Sequence, residues 1–141
     1  MKVDQFSSIF LDQSKNLFWV IDREYLLVEA NKAYLSLAKI NTGKEQKLNE
    51  SVLTEALSEA EHKKWKAYYD RAINGIYFET EEHYFNPSTN RTEYIQVVFQ
   101  PLNGADDEII AVACLSKDIT NLVKQRAEAN EMMAASLDVF C

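Results

Sequence analysis

The chain has 141 residues, 47% hydrophobic and 26% charged, enough for one domain with a sizeable core. Its formal net charge of −7, from 15 Lys and Arg against 22 Asp and Glu, repels a phosphate backbone and makes nucleic acid a poor partner. There is no apolar run of about 18 residues to cross a membrane, and the opening Met1-Lys2-Val3-Asp4-Gln5 lacks the basic-then-apolar order of a signal peptide.

Val3, Phe6, Ile9 and Phe10 recur at helical spacing, with Asp4, Ser7, Ser8 and Asp12 between them. This predicts an amphipathic flanking helix over residues 3–13, whose apolar stripe must be covered by the domain's own sheet or by a second copy. Leu17 to Ile21 and Tyr25 to Glu29, parted by Asp22-Arg23-Glu24, read as a β-hairpin. Asn31 is a good N-cap for a short helix through Ala38 that buries Ala33, Tyr34 and Leu37. Residues 39–50 are polar and irregular, and 51–57 hold a helical turn or two.

Ser58 with Glu61 has capping-box spacing and opens a longer helix. His62, Trp65, Tyr69, Ala72 and Ile73 form its apolar face. Lys63, Lys64, Lys66, Asp70 and Arg71 form the other, a solvated face. Asn74-Gly75 stops it in a left-handed turn. Three strands follow: Ile76 to Phe85, Thr92 to Gln100 ended by Pro101, and Ile109 to Lys117. The turns between them are Asn86 to Asn90 and Asn103 to Asp107. In the middle strand Ile95, Val97 and Phe99 alternate with Gln96, Val98 and Gln100, so the first set faces the core. The last strand is a continuous apolar run, as expected of a central strand covered on both faces. It stops at Ser116-Lys117-Asp118 and leads directly into a helical segment. The fold class is α+β: a five-stranded antiparallel sheet with short helices on one face, an N-terminal amphipathic helix and a C-terminal linker helix.

This order resembles a PAS domain. F-W-V-I-D-R-E-Y-L-L-V-E-A-N-K-A-Y looks like the first two strands and the start of the next helix. R-A-I-N-G looks like the end of the long helix, V-F-Q-P-L like the end of the fourth strand, and I-I-A-V-A-C-L like the fifth. S-K-D-I-T is similar to the Asp-Ile-Thr signature that joins such a core to its output helix. The resemblance covers residues 14–120. It implies a sensory module of a multidomain signalling protein such as a sensor histidine kinase, with any kinase chemistry outside this chain. Asp118, Ile119 and Thr120 would be its signal junction. On physical grounds Asp118 can accept from the first free N–H groups of the following helix, Thr120 can act similarly, and Ile119 packs back on the domain.

Residues 121–141 read as a linker helix. Its seven-residue seam of Ile119, Leu122, Arg126, Ala129, Met133 and Ser136 is too short and too polar for a stable coiled coil alone. Ala135 to Cys141 echoes Gln13 to Trp19, which suggests that a second PAS-like domain starts there and that Cys141 is a cut point.

The resemblance allows haem, flavin, small acids or nothing as ligand. A flavin photosensor needs a cysteine on the helical side in an Asn-Cys-Arg context, which is absent. A haem ligand is expected near Ile73-Asn74-Gly75, not at His62 or His83. Neither cofactor is predicted. Cys114 and Cys141 read as reduced thiols of a cytoplasmic protein, and with two histidines they make no metal motif. Glu79, Glu81 and His83 share one strand face and read as exposed, so no catalytic site is predicted. The candidate apolar cavity is lined on the sheet by Ile95, Val97, Phe99, Ile109, Ala111, Ala113 and Leu115. The small Ala111 and Ala113 either leave room for an apolar ligand or let Trp19, Trp65 or Tyr69 fill the space, and close packing favours filling. The expected partners are a second copy, through Val3, Phe6, Ile9 and Phe10, and downstream domains of the same chain. The alternative function is a ligand-free dimerisation and docking module.

Overall fold

The computed structural model describes residues 3–139, with side chains over 5–136. The elements are α1 (Val3–Gln13), β1 (Leu17–Asp22), β2 (Leu27–Ala30), α2 (Lys32–Thr42), α3 (Glu59–Ile73), β3 (Phe78–Asn86), β4 (Arg91–Asn103), β5 (Ile109–Asp118) and α4 (Thr120–Val139). The strands form one five-stranded sheet in the order β2-β1-β5-β4-β3, every neighbouring pair antiparallel. The N- and C-terminal strands therefore meet in the middle, with β5 between β1 and β4.

Register sorts the side chains onto two faces, because opposite residues share a face. On the inner face Trp19 stands opposite Cys114, and Cys114 opposite Phe99, which pairs with Phe78. These join Ile21, Leu27, Val97, Val112 and the α3 residues Tyr69 and Ala72 in the core. Phe78 and Phe99 stack with ring centres 4.7 Å apart.

The helix ends follow the sequence signals. The Ser58 side chain accepts from the Glu61 N–H at 3.1 Å, and α3 ends before Gly75, whose φ of 93° favours a residue without a Cβ. Asn31 caps α2 by accepting from the Tyr34 N–H, and Gly43 closes it at φ 75°. The helix thus runs past Ala38 to Thr42. Residues 51–57 are turns rather than helix, anchored by a bridge between Leu26 and Ser51.

Asn31 does more than cap. It is buried, and its Oδ1 also accepts from the Phe18 N–H at 3.1 Å. Its Nδ2 donates to the carbonyls of Leu11 and Asn16, both at 2.8 Å. One side chain so ties the end of α1, the approach to β1 and the start of α2.

Pro101 lies within β4 instead of ending it. β3 begins at Phe78, opposite Phe99, so β4 is an edge strand at Pro101, where a missing N–H is tolerated. The helical end of the chain extends through Val139, where a strand lead-in was expected. Phe140 and Cys141, which carry part of the echo of residues 13–19, lie outside the described residues.

Candidate ligand cavity and output junction

Between α2, α3, the 44–57 segment and the inner sheet face lies a half-open cavity of about 630 Å³. Its walls include the aromatic side chains Trp19, Tyr34, Trp65 and Tyr69. They form its sides instead of filling it, because they pack on one another. Trp19 stacks on Tyr34 with centres 5.0 Å apart, and Trp65 lies 6.1 Å from Tyr69. α2 stands over this space, so its Leu37 lines the cavity and stays 41% exposed, where the sequence predicted burial.

Of the predicted sheet lining, Ile95 and Val97 face the cavity. Phe99 is on the same face but fully buried in the aromatic core. Ile109, Ala111, Ala113 and Leu115 are corrected: they do not line it. Phe18 opposite Leu115, Val20 opposite Ala113 and Asp22 opposite Ala111 place these β5 residues on the outer face, and Ile109 pairs Asn103 beyond a register shift. Val112, Cys114 and Ser116 point inward in their place. An unbroken apolar run carries no alternation to fix its phase, and pairing to β1 and β4 fixes it.

The sequence missed Ser116 as a lining residue. It is 4% exposed, sits opposite both Leu17 and Val97, and lines the cavity with them. Tyr69 is equally buried and its hydroxyl accepts from Trp19 Nε1–H at 3.0 Å. The Tyr34 hydroxyl donates to Gln46 Oε1 at 2.9 Å. Burial pushes both phenols well above their ordinary value and raises the Cys114 thiol too, so all three are neutral at pH 7. Charge is confined to the mouth, where Lys64 pairs with Glu82 at 3.2 Å near Glu61. Tyr68 also donates to Glu82, and burial followed by this bond pushes its phenol up to about 12.

The junction lies at the end of the same strand. Asp118 Oδ1 accepts from the Thr120 N–H at 2.9 Å, the expected cap, and this bonding holds its carboxyl below the usual range. Ile119 is buried and its N–H donates to the Tyr94 carbonyl at 2.9 Å. Thr120 does not repeat the cap of Asp118. Its buried hydroxyl accepts from the Tyr94 N–H at 3.0 Å, tying the start of α4 to β4. Further along, Arg126 meets Glu81 on β3 at 2.9 Å.

Among the described residues no cluster of His, Cys, Asp and Glu could hold a metal. Cys114 is buried on the inner face; His83 stands opposite Tyr94, with Glu79 opposite Val98 and Glu81 opposite Gln96, and at its exposed end of β3 His83 also borders the cavity. The three therefore share a face, as their spacing predicts. No helix of the described residues is long and apolar enough to cross a membrane.

A five-stranded sheet in this order, a helical cover over one face and a helix leaving the central strand are now in place, and residues 11–124 match the family described as the PAS fold. The chain belongs to the PAS fold family. No curated protein matches it. Among solved structures, this PAS domain is similar to the PAS domain of BvgS from Bordetella pertussis, at 18% identity and a TM-score of 0.60, over 91% of this chain and 96% of that one. It is also similar to a sensory box sensor histidine kinase from Vibrio cholerae, at 16% identity and a TM-score of 0.56, over 83% and 92%. An RNA-binding Light-Oxygen-Voltage receptor aligns at 16% identity and a TM-score of 0.61, over 94% of this chain but 37% of its own. At such identities the likeness is one of fold.

Proposed function

We propose that this PAS domain is a cytoplasmic sensory relay. A small molecule in the cavity changes how β4 and β5 hold the start of α4, and α4 passes the change to the output domain of a signalling protein such as a sensor histidine kinase. The domain itself works by binding, without catalysis. One observation carries the reading. Ile95 lines the cavity, and the adjacent Tyr94 backbone holds both the Ile119 N–H and the Thr120 hydroxyl. A contact at the cavity wall is thus one residue from the clamp on the output helix. The molecule must bind two arrangements of that clamp with different affinity, or nothing is relayed. Native mass measurement on freshly purified protein should show added small-molecule mass. Stripping it should change hydrogen exchange at the Ile119 amide. Clean apo protein throughout, or exchange indifferent to occupancy, rejects the relay.

A second reading, ligand-free dimerisation through α1, is supported by Phe6 and Phe10, which are 60% and 72% exposed and cluster with Leu11 beside Phe18. Ile9 is 43% exposed, and the side chain of Val3 lies outside the described residues. Phe6→Asp with Ile9→Asp should then abolish self-association in sedimentation. Unchanged association rejects this use of α1.

A further inference from the structure

The cavity floor carries a hydroxyl, and a buried unpaired one lies next in its row. Ser116 is 4% exposed and lines the cavity from the centre of the sheet, where its hydroxyl is the one polar group between apolar neighbours. Leu17 and Val97, on either side of it in the same cross-strand row, are apolar and line the cavity too. The next member of that row is Thr80, opposite Val97 on β3, and its buried Oγ1 lacks a partner among the described residues. Buried hydroxyls are ordinarily paired, and the unpaired Thr80 in this row calls for a reason. Nearby, the Tyr69 hydroxyl already accepts from Trp19 Nε1–H, which leaves its own proton to donate.

Charge narrows what could meet these groups. The basic residues of the lining are Lys64, which is taken by Glu82, and the exposed His83; both lie at the mouth, away from Ser116. Glu61 and Glu82 leave that mouth net negative, on a chain of net charge −7. A carboxylate or phosphate entering here would meet repulsion at the mouth and no cation below it, and burying it unpaired is costly. The walls, by contrast, offer Trp19, Tyr34 and Trp65 to a ring.

We propose that the cavity takes an uncharged, largely apolar ring compound carrying one carbonyl or hydroxyl oxygen, and that this oxygen is bound at the floor by the Ser116 hydroxyl. The proposal rests on the reading of the cavity as the input site and adds the chemical class of the input. Ser116 lies two residues before Asp118 on β5, so such a ligand would be read by the strand that ends in the junction.

Three probes of similar shape test it: 2-naphthol, naphthalene and 2-naphthoate, titrated into the full chain and followed by the indole N–H signals of Trp19 and Trp65. The expected order is 2-naphthol about three- to tenfold tighter than naphthalene, one hydrogen bond's worth. Naphthoate should be weaker than naphthol by at least about tenfold. Ser116→Ala should bring naphthol close to naphthalene while leaving naphthalene unchanged, which also reports that the variant is folded. Naphthalene and naphthol binding alike, naphthoate binding best, or a naphthol affinity indifferent to Ser116→Ala overturns this assignment while the cavity remains a binding site. Failure of all three probes to bind overturns the assignment and counts against the cavity as an input site as well.

Discussion

The hydroxyl of Thr120, the first residue of α4, accepts the backbone N–H of Tyr94 in β4 at 3.0 Å, while Ile119 donates to the carbonyl of the same Tyr94. The output helix is therefore pinned to the strand beside its own. Thr120→Val keeps the shape and removes the acceptor, stranding a backbone donor. It should cost about 1–3 kcal/mol in urea unfolding and speed exchange of the Tyr94 amide. Thr120→Ser should restore most of both. A Thr120→Val domain of unchanged stability would show that water replaces the clamp.

Tyr69 and Trp19 make the analogous test in the core. Tyr69→Phe leaves the buried indole N–H without its acceptor, at a cost of about 1–3 kcal/mol, and should move the Trp19 indole signal in the nitrogen–proton spectrum. An unmoved signal would mean that the bond does not persist in solution.

Asp118 gives the junction a pH dependence with a definite sign. Its carboxyl is held below its unfolded value, first by the hydrogen bond with Thr120, so folding favours the ionised form. That contribution is complete above the unfolded value of about 4 and fades as pH falls through the lower folded value. Asp118→Asn lacks it. The stability difference between wild type and Asp118→Asn, measured by urea midpoints, should be largest near neutrality and shrink at acid pH. A difference independent of pH would assign the cap no charge component.

Arg126 and Glu81 form a 2.9 Å ion pair, but their side chains are 51% and 48% exposed. A double-mutant cycle should return a coupling below about 1 kcal/mol that weakens with added salt. A larger, salt-resistant coupling would mean that α4 is held against β3 more firmly than this pair allows.

Much of this was legible because the signals were local. Ser58, Asn74-Gly75 and Asn31 mark helix ends through hydrogen bonds within a few residues, and Ile95, Val97 and Phe99 alternate with a set that includes the polar Gln96 and Gln100. The face of β5 was not legible. In Ile109 to Leu115 every residue is apolar, so no pattern says which half points inward, and pairing with distant β1 decides it. That the cavity stays open instead of being filled was not legible for a related reason. Its open space depends on how α2 and the 44–57 segment stand off the sheet, a matter of helix placement that no residue spacing encodes. Ser116 could have been suspected as the one hydroxyl before the charged end of an apolar strand.

Asn31 accepts on one side from the N–H groups of Phe18 and Tyr34 and donates on the other to the carbonyls of Leu11 and Asn16. Turning its amide over would set two donors against its NH₂ and two acceptors against its oxygen, so only one orientation is admissible. Asn31→Asp retains the oxygen and loses both donors, and Leu, its closest apolar substitute in size, loses everything. Among the standard side chains of this length, asparagine alone carries both polarities. The position thus has a chirality of hydrogen bonding, and through it the cavity wall at Tyr34 and the last turn of α1 at Leu11 share a single atom group as their common reference point.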